Sequence, residues 1–430
     1  MSQHATEDRL VTFRRELHRR PEPAWREFWT TARIVEELER IGVDEIHVGP
    51  DALATDERMG VPDDEEIDRW FERAREAGVR EDLLEPMAGG YTGAVAILRR
   101  GEGPTVALRV DVDGLPRAES DDDHHHPARE GFRSVHEGAM HACGHDGHTA
   151  IGLGVLERVK ESDFRGTLKV VFQPAEEVVG GGKAVAKSGH LDDVDYLLAL
   201  HLGLNHPTGE VVAGIDGFLA VSHVDVEFHG ESTHAGGEPS KGRNAVQALA
   251  TAVENLYGIA RHEAGGTRVN AGKITGGTAA NIVPEYAHIE GEVRGETTEL
   301  MEYMKDRARE VVEGAAAVHD CEVEFETGPE APGGESDDAI VDVVAAVAGE
   351  TGGVETVTRS DHLGGSEDAT YLMKKVQDAG GLAAYVCVGT DHPGGHHTAT
   401  FDVDERSLSI GVNVLAGAIQ RIARDPPDKQ

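Results

Sequence analysis

Apolar residues recur every three to four positions near the start of the chain. Leu10, Phe13 and Leu17 form one such stripe, and a second lies between Ala32 and Leu38. This spacing is typical of amphipathic helices that bury one face. The prolines between the two stripes predict a turn, so the chain is expected to begin as helix, turn and helix.

Short β-rich runs then alternate with helical stretches as far as about residue 217. This alternation predicts an α/β layer with a mostly parallel sheet. Strands are expected at 94–98, 105–112, 168–172, 196–201 and 210–213, and helices at 149–160 and 182–187. The same pattern resumes near the C-terminus, with a helix at 338–347, a strand at 383–389 and a helix at 407–422.

The hydrophobic pattern changes between these two parts. Strands are expected at 219–228, 267–275, 286–294 and 321–327, with helices at 244–261 and 297–318. The order β-α-β-β-α-β is that of a ferredoxin-like α+β unit, and the Gly- and Pro-rich run 328–336 predicts a linker. We therefore expect a discontinuous α/β domain, residues 1–217 and 330–430, with an inserted domain at 218–329.

The chain of 430 residues is strongly acidic, with 41 Lys and Arg against 79 Asp and Glu and a formal charge of −38. Such a charge disfavours binding to nucleic acid phosphates. The acidic residues are spread along a sequence of ordinary hydrophobic content, which favours a folded protein with an acidic surface rather than a disordered one. Acidic surfaces of this kind are expected in a salt-rich cytoplasm.

Cysteine content and the N-terminus indicate the compartment. The three cysteines, Cys143, Cys321 and Cys387, are widely spaced, so no disulfide framework is expected. The N-terminus lacks the features of a signal peptide, and no apolar run reaches the ~18 residues of a membrane span. These observations predict a soluble cytoplasmic protein that does not bind membranes.

The stretch MHACGHDGHTA at 140–150 concentrates side chains that bind metals or take part in catalysis. From these residues alone, Cys143 can be a metal ligand, a nucleophile, a redox thiol or an inert buried thiol. A nucleophilic thiol needs a free imidazole as base, and a CxxC redox pair is absent. The nearby run His124–His126 is expected to be a surface loop rather than a metal site.

Three further places offer ligands at predicted strand ends or in a loop. FQPAEE places Glu176 and Glu177 after a strand, LALHLG places His201 near the end of the next, and GGHHTATFDVDE contains His396 and His397. Thiolate, imidazole and carboxylate together suit a divalent Zn or Mn ion. The combination favours a hydrolytic metal site over the solvated surface that each motif predicts by itself.

These motifs resemble the metallopeptidase M20 family, and specifically its amidohydrolase branch. The matching runs extend along the chain in order, and ERMGVPDDE and GGYTGAVAIL resemble the p-aminobenzoyl-glutamate hydrolase group of that branch. The resemblance implies a phosphorylase/hydrolase-like catalytic domain and a ferredoxin-like lid or dimerisation domain. The other matching runs are RVDVDGLP, MHACGHDGHTA, FQPAEE, LHLG, THAG, NIVP, GSED and the terminal HH with FDVDE.

The resemblance also implies a centre of two divalent metal ions, Mn or Zn. Its ligands would be Cys143, His145, Glu177, His201 and one of His396 and His397, whose spacing to Phe401 differs by one residue from the commoner form of the motif. Glu176 would be the general base. Asp113 would orient a ligand imidazole, and Asp111 stands where other branches have a metal-binding histidine.

Three residues of the inserted domain acquire roles from the same resemblance. His234 would donate a hydrogen bond to the developing oxyanion, often from a partner protomer. Asn281 and Arg294 would contact the carbonyl and the free carboxylate of the substrate, because a guanidinium binds a carboxylate through two hydrogen bonds. The alternative is that His234 and Arg294 are ordinary surface residues of the ferredoxin-like unit.

The expected activity is metal-dependent hydrolysis of the amide bond of a small N-acyl or N-aroyl amino acid, such as p-aminobenzoyl-glutamate. The alternatives are a dipeptidase or carboxypeptidase, an indole-acetyl-amino-acid or hippurate-type hydrolase, and a non-catalytic subunit that retains the fold. The sequence is compatible both with a homodimer and with a heterodimer that contains a homologous subunit.

Overall fold

The computed structural model describes residues 3–429, and the side chains from residue 7 onward. The described part contains twelve α-helices and twelve strands. The helices are α1 (Gln3–His18), α2 (Phe28–Ile41), α3 (Asp64–Glu76), α4 (Glu81–Leu84), α5 (His126–Glu130), α6 (His145–Lys160), α7 (Gly182–Ala186), α8 (Ala245–Leu256), α9 (Thr298–Val318), α10 (Asp338–Glu350), α11 (Ala369–Asp378) and α12 (Arg406–Arg424).

The strands form two sheets, one in each of two compact units. They are β1 (Glu45–Val48), β2 (Ala94–Arg99), β3 (Thr105–Asp111), β4 (Thr167–Gln173), β5 (Tyr196–Leu202), β6 (Glu210–Asp216), β7 (Ala220–His229), β8 (Thr267–Gly276), β9 (Tyr286–Gly295), β10 (Glu322–Ala331), β11 (Thr356–His362) and β12 (Leu382–Val388). Unit 1 comprises Met1–Asp216, Glu335–Leu363 and Asp368–Gln430, and unit 2 comprises Gly217–Gly334 and Gly364–Glu367.

The sheet of unit 1 has eight strands in the order β1-β2-β4-β3-β5-β12-β6-β11. Four of the seven neighbouring pairs in the described chain are parallel, and they include the three adjoining pairs β4·β3, β3·β5 and β5·β12 at the centre of the sheet. The central strands are almost completely buried, as expected of parallel strands covered on both faces. The predicted α/β fold with a large, mostly parallel sheet is confirmed.

Helix α6 lies at the core of unit 1. It is buried on nearly every side, which explains why its sequence lacks a clear polar face. Small residues make this packing possible. A side chain at Gly152 would meet Val110 of the sheet, and one at Gly154 would meet Leu10 of α1 and Val412 of α12.

Unit 2 contains β7, α8, β8, β9, α9 and β10 in that order along the chain. Its four strands are antiparallel and lie in the order β10-β7-β9-β8. The two helices pack on one face of the sheet through Ala248, Ala252, Met304 and Val312, which are buried with alternate residues of the strands.

Some details differ from the sequence-based expectations. β10 continues to Ala331, so the first part of the expected linker at 328–336 is strand. Gly364–Glu367 belongs to unit 2, although the hydrophobic pattern placed this segment in the first domain. Within residues 3–429, no helix is both long and apolar enough to cross a membrane.

Candidate metal centre

The parallel strands of unit 1 bring the candidate residues to one edge of the sheet. In the register of the sheet Asp111 pairs with Gln173, and His201 pairs with Cys387. The carboxyl ends of β3, β4, β5 and β12 therefore lie side by side, where ligand sites of such sheets form. The chain beyond these ends carries the remaining candidates, Asp113, Glu176, Glu177, His396 and His397.

Cys143, His145 and Glu177 form a first trio of ligand-type side chains. Their ligand atoms all lie within 4.8 Å of one another. Gly144, at a φ of 89°, turns the chain between the thiol and the start of α6, a conformation that glycine adopts without strain. Nδ1 of His145 donates to the carbonyl oxygen of Asp113 at 2.9 Å, which leaves Nε2 directed at the trio.

A second trio consists of Cys143, His201 and His396, again with ligand atoms within 4.8 Å of one another. The sulfur of Cys143 lies 3.5 Å from Nε2 of His201. Nδ1 of His201 donates to the carbonyl oxygen of Leu202 at 2.7 Å, so the lone pair of Nε2 faces the thiol. Cys143 therefore belongs to both trios.

His397 occupies a different position from its neighbour. Its Nε2 lies 3.3 Å from Oε2 of Glu177, and its side chain is 57% exposed. His396 is packed against the ring of His201, with ring centroids 5.4 Å apart. The structure thus places His396 in a trio with Cys143 and places His397 beside Glu177.

The chemistry of these side chains fits divalent cations. Nε2 of His145 and Oε1 of Glu177 are buried, have no hydrogen-bond partner among the described residues and lie 3.8 Å apart. Buried polar atoms rarely remain in this state unless an ion or a water molecule satisfies them. Two ligands of one tetrahedral ion with bonds of about 2.1–2.3 Å lie about 3.5 Å apart, so the observed separation is close to that of a ligand pair.

The electrostatics of the trios also favour a cation. Burial opposes protonation of His145, but Asp111, Asp113 and Glu177 outweigh it and raise its pKa to about 10. The same negative field favours a bound divalent ion. Burial holds the pKa of His201 well below its usual range and lowers the pKa of His396 to about 4, so both rings are neutral, as ligands must be.

Asp113 forms hydrogen bonds both with His145 and with the glutamate pair Glu176 and Glu177. Its Oδ1 accepts from the backbone N–H of Glu176, and its Oδ2 accepts from that of Glu177, both at 3.1 Å. Oε2 of Glu176 lies 3.8 Å from Nε2 of His145. The carboxylate of Glu176 therefore lies beside the first trio without being a member of it.

Asp111, His145 and His148 are a further group whose ligand atoms lie within 4.8 Å of one another, but both ring nitrogens of His148 already have hydrogen-bond partners. Its Nε2 accepts from the backbone N–H of Leu202 at 2.8 Å, and its Nδ1 donates to Asp111. Arg109 binds the second oxygen of Asp111. Burial opposes ionisation of Asp111, but His145, His148 and Arg109 together hold its pKa well below the usual range.

A buried network next to α6 was not predicted from the sequence. His18 of α1 contacts Asp146 through Nδ1 at 2.8 Å and Glu119 through Nε2 at 3.0 Å. Arg14 also binds Asp146, at 2.6 Å. His125 is buried and contacts Glu119 at 2.8 Å, so the expectation of a surface loop is wrong for this residue. Contacts between ionisable side chains therefore connect α1 to the start of α6.

In unit 2, His234 and Asn281 lie in adjacent loops. The backbone N–H of Ala235 donates to the carbonyl oxygen of Asn281 at 3.0 Å. Nδ1 of His234 accepts from the N–H groups of Gly236 and Gly237, so the proton of the neutral ring is on Nε2. His234 therefore offers an N–H donor, and this residue is exposed in its unit.

Arg294 lies near the other end of β9 from these loops. Its Nε and one terminal nitrogen each donate to a carboxylate oxygen of Glu292 at 2.9 Å, and its other terminal nitrogen donates to Ser366 at 3.1 Å. The guanidinium that the sequence assigned to a substrate carboxylate is therefore engaged by a carboxylate of its own strand.

The sequence from residue 107 to residue 421 matches the family described as Peptidase family M20/M25/M40. The chain belongs to this family. The M20 resemblance inferred from the motifs is thereby confirmed, and the protein is an M20 hydrolase.

Several relatives of this M20 protein match it along nearly their whole length. Indole-3-acetyl-aspartic acid hydrolase of Enterobacter agglomerans is 44% identical over 411 residues, 95% of this chain and 94% of the relative. The A subunit of p-aminobenzoyl-glutamate hydrolase from Escherichia coli (strain K12) is 41% identical over 412 residues, with the same coverage of 95% and 94%. The crystal structure of aminobenzoyl-glutamate utilization protein from Klebsiella pneumoniae matches with a TM-score of 0.82 and 37% identity over 97% of both chains.

Proposed function

We propose that this M20 hydrolase cleaves the amide bond between an aromatic acyl group and an acidic amino acid. The observation that carries the proposal is the pair of trios that share Cys143, with Glu176 beside them. The names of the two relatives support the substrate class, because indole-3-acetyl-aspartic acid and p-aminobenzoyl-glutamate each join an aromatic acyl group to a dicarboxylic amino acid.

The first trio and the second trio would each hold one divalent ion, Mn or Zn, with Cys143 as the shared ligand. The donor set supports this assignment, since thiolate, imidazole and carboxylate suit both metals. When bound, the two ions would lower the pKa of the attacking water and polarise the amide carbonyl. Of the two adjacent histidines, His396 is the proposed ligand.

Glu176 would act as the general base. Its carboxylate accepts a proton from the attacking water as the oxygen of that water bonds to the amide carbon. It then delivers the proton to the amine nitrogen as the carbon–nitrogen bond breaks, which releases a carboxylic acid and an amino acid. Asp113 supports this role because it holds the N–H groups of Glu176 and Glu177.

Unit 2 would serve as a ferredoxin-like lid. The order and antiparallel pairing of its strands support this interpretation. Nε2–H of His234 would donate to the developing oxyanion, Asn281 would contact the carbonyl, and Arg294 would bind a substrate carboxylate.

Two chains would be needed to complete such a site. Asn281 precedes β9, whereas Arg294 lies near the far end of this ten-residue strand. At a rise of about 3.4 Å per residue, Tyr286 and Arg294 are about 27 Å apart, farther than an N-acyl amino acid extends. We propose that a second copy or a homologous subunit supplies His234 and Asn281, and the naming of one relative as a subunit of its hydrolase supports a partner.

A substrate panel tests the proposal. The purified protein, in high salt with added Mn or Zn, is assayed with p-aminobenzoyl-glutamate, indole-3-acetyl-aspartate, hippurate, N-acetyl amino acids and dipeptides. We expect the two aromatic conjugates of acidic amino acids to give the highest kcat/KM. A preference for dipeptides would overturn the substrate class, and the absence of metal-dependent hydrolysis by the chain, alone or with a homologous subunit, would overturn the function. Glu176→Gln, which should keep its metal, is the control for contaminating hydrolases.

A further inference from the structure

The turn that carries Glu176 and Glu177 has an unusual backbone. Ala175 and Val179 both have a φ of 55°, in the left-handed region that residues with a Cβ seldom adopt. Such conformations persist only where the surrounding structure enforces them, and they cluster at functional sites. The turn therefore needs support from outside its own residues.

Carboxylates supply that support at three successive peptide groups. The N–H of Ala175 donates to Oε1 of Glu27 at 2.8 Å. The N–H groups of Glu176 and Glu177 donate to Asp113. Glu27 thus holds the residue at which the turn departs from ordinary backbone geometry, and Asp113 holds the two residues that follow.

Glu27 lies in an environment that is energetically unfavourable for a carboxyl group. Its side chain is fully buried, and within the described part of the chain it forms no ion pair with Lys, Arg or His. Its second oxygen accepts from the hydroxyl of Thr92 at 2.6 Å. Burial and the nearby Asp113 raise its pKa to about 8. A buried carboxyl group without a cation destabilises a fold unless its hydrogen bonds are all made.

Glu27 and Thr92 come from a part of the chain that the family match does not include, since that match begins at residue 107. The two residues precede α2 and β2, respectively. A second contact joins the same two segments, because the hydroxyl of Thr31 accepts from the N–H of Gly93 at 2.9 Å. The N-terminal segment therefore reaches the glutamate pair through a fixed arrangement of hydrogen bonds.

We propose that Glu27, oriented by Thr92, is a positioning residue that fixes the strained turn at Ala175 and so aims Glu176 and Glu177. This inference rests on the proposed function, in which Glu176 is the base and Glu177 a metal ligand. Glu27 acts through the backbone and does not touch the substrate.

The test compares Glu27→Ala with Glu22→Ala. Glu22 is a matched control because it is also a buried carboxylate of the N-terminal segment. Its carboxylate accepts hydrogen bonds from the N–H groups of Trp29 and Thr30, which are not part of the turn. Amide hydrogen exchange of peptides that contain residues 175–177, metal content, Tm, kcat and KM are measured for both variants. Glu27→Gln and Thr92→Val complete the series.

We expect both alanine variants to lower the Tm, but only Glu27→Ala to speed exchange at residues 175–177 and to lower kcat by about tenfold to a hundredfold, as losses of supporting contacts do. Glu27→Gln should recover most of kcat, since its amide oxygen can still accept from Ala175 while the Thr92 hydroxyl rotates to accept from the amide nitrogen. Thr92→Val should lie between the wild type and Glu27→Ala.

Equal exchange and equal kcat in Glu27→Ala and Glu22→Ala would overturn the proposal and leave Glu27 a structural residue. Hydrogen exchange and metal content do not depend on turnover. If the wild type hydrolysed no amide while Glu27→Ala still loosened the turn, the proposed function would fail and the positioning role would stand.

Discussion

The sulfur of Cys143 lies 3.5 Å from Nε2 of His201, and the same thiol belongs to the trio of His145 and Glu177. One side chain therefore links two groups of candidate ligands. We predict that Cys143→Ser lowers the metal content from two ions per chain to one or none and reduces kcat by more than about a hundredfold, beyond the effect of losing an outer hydrogen-bond partner. Elemental analysis and steady-state kinetics check this. Cys321→Ser, in unit 2, is the control, and two retained ions with normal kcat in Cys143→Ser would exclude a shared thiolate.

The adjacent histidines should behave differently when each is replaced. His396→Ala should lose the ion of the second trio, because the substitution removes one of the three candidate ligands of that trio. His397→Ala should keep both ions, since the side chain of His397 is 57% exposed and its Nε2 lies 3.3 Å from a carboxylate oxygen of Glu177. The metal content of the two variants is the measurement. Loss of an ion in His397→Ala but not in His396→Ala would make His397, rather than His396, the ligand.

Glu292 should compete with the substrate for Arg294. We expect Glu292→Gln to lower the KM for p-aminobenzoyl-glutamate by about threefold to tenfold, because it removes the charge from a pair of charge-assisted hydrogen bonds. Arg294→Ala should raise the KM. Glu290→Gln is the matched control, as the carboxylate of Glu290 is on the same strand but pairs with Lys273. An unchanged KM in Glu292→Gln would remove Arg294 from the substrate site.

The network of His18 and Glu119 should make stability depend on pH on both sides of an optimum. Burial opposes ionisation of Glu119, but its contacts with His125 and His18 outweigh this and lower its pKa to about 2, so its contribution is complete above about 4.5 and is lost as the pH falls towards 2. Burial and Arg14 oppose protonation of His18, but its hydrogen bonds to Asp146 and Glu119 raise its pKa to about 9.

The contribution of His18 is therefore complete below the ordinary histidine pKa of 6.5 and is lost as the pH rises to 9. We expect Tm to be highest between about pH 4.5 and 6.5, and the decline between 6.5 and 9 to be smaller in His18→Gln. Thermal unfolding of both proteins across this range is the measurement. Identical slopes in the two proteins would show that His18 does not take up a proton on folding.

The formal charge of −38 should make stability depend on salt. Repulsion among the acidic side chains is screened over about 10 Å at 0.1 M salt and about 3 Å at 1 M. We therefore expect Tm to rise by several degrees between dilute buffer and molar KCl. Sucrose, which stabilises without screening charge, is the control. Full stability in dilute buffer would contradict a halophilic protein.

The part of the site that the sequence could predict consists of residues at the ends of strands. The apolar runs before Asp111, Glu176 and His201 identified parallel strands, and parallel strands end at one edge, so convergence of their polar residues followed. The edge strand β11 was not predicted, because its side chains are mostly exposed and polar, and the hydrophobic pattern gives no signal for it.

Contacts between segments that are distant in sequence could not be predicted from the hydrophobic pattern. Glu27 and Ala175 are 148 residues apart, and no local periodicity links them. The positions of His396 and His397 depend on a loop in which His397 has a φ of 59°, and the spacing of the motif leaves this conformation open. A sequence motif names candidate ligands, whereas loop geometry decides which of them face the same point.

The candidate ligands extend along the chain from Cys143 to His396, and unit 1 is assembled from three separate segments. During synthesis on a ribosome, most of unit 2 is complete some sixty residues before His396 is added. The residues of the first trio are synthesised early, but the second trio cannot form until almost the whole polypeptide has emerged from the ribosome. In the proposed two-ion centre, loading of both ions would therefore be a late event in biosynthesis, and a chain that stops short of His396 would acquire at most a half-filled centre.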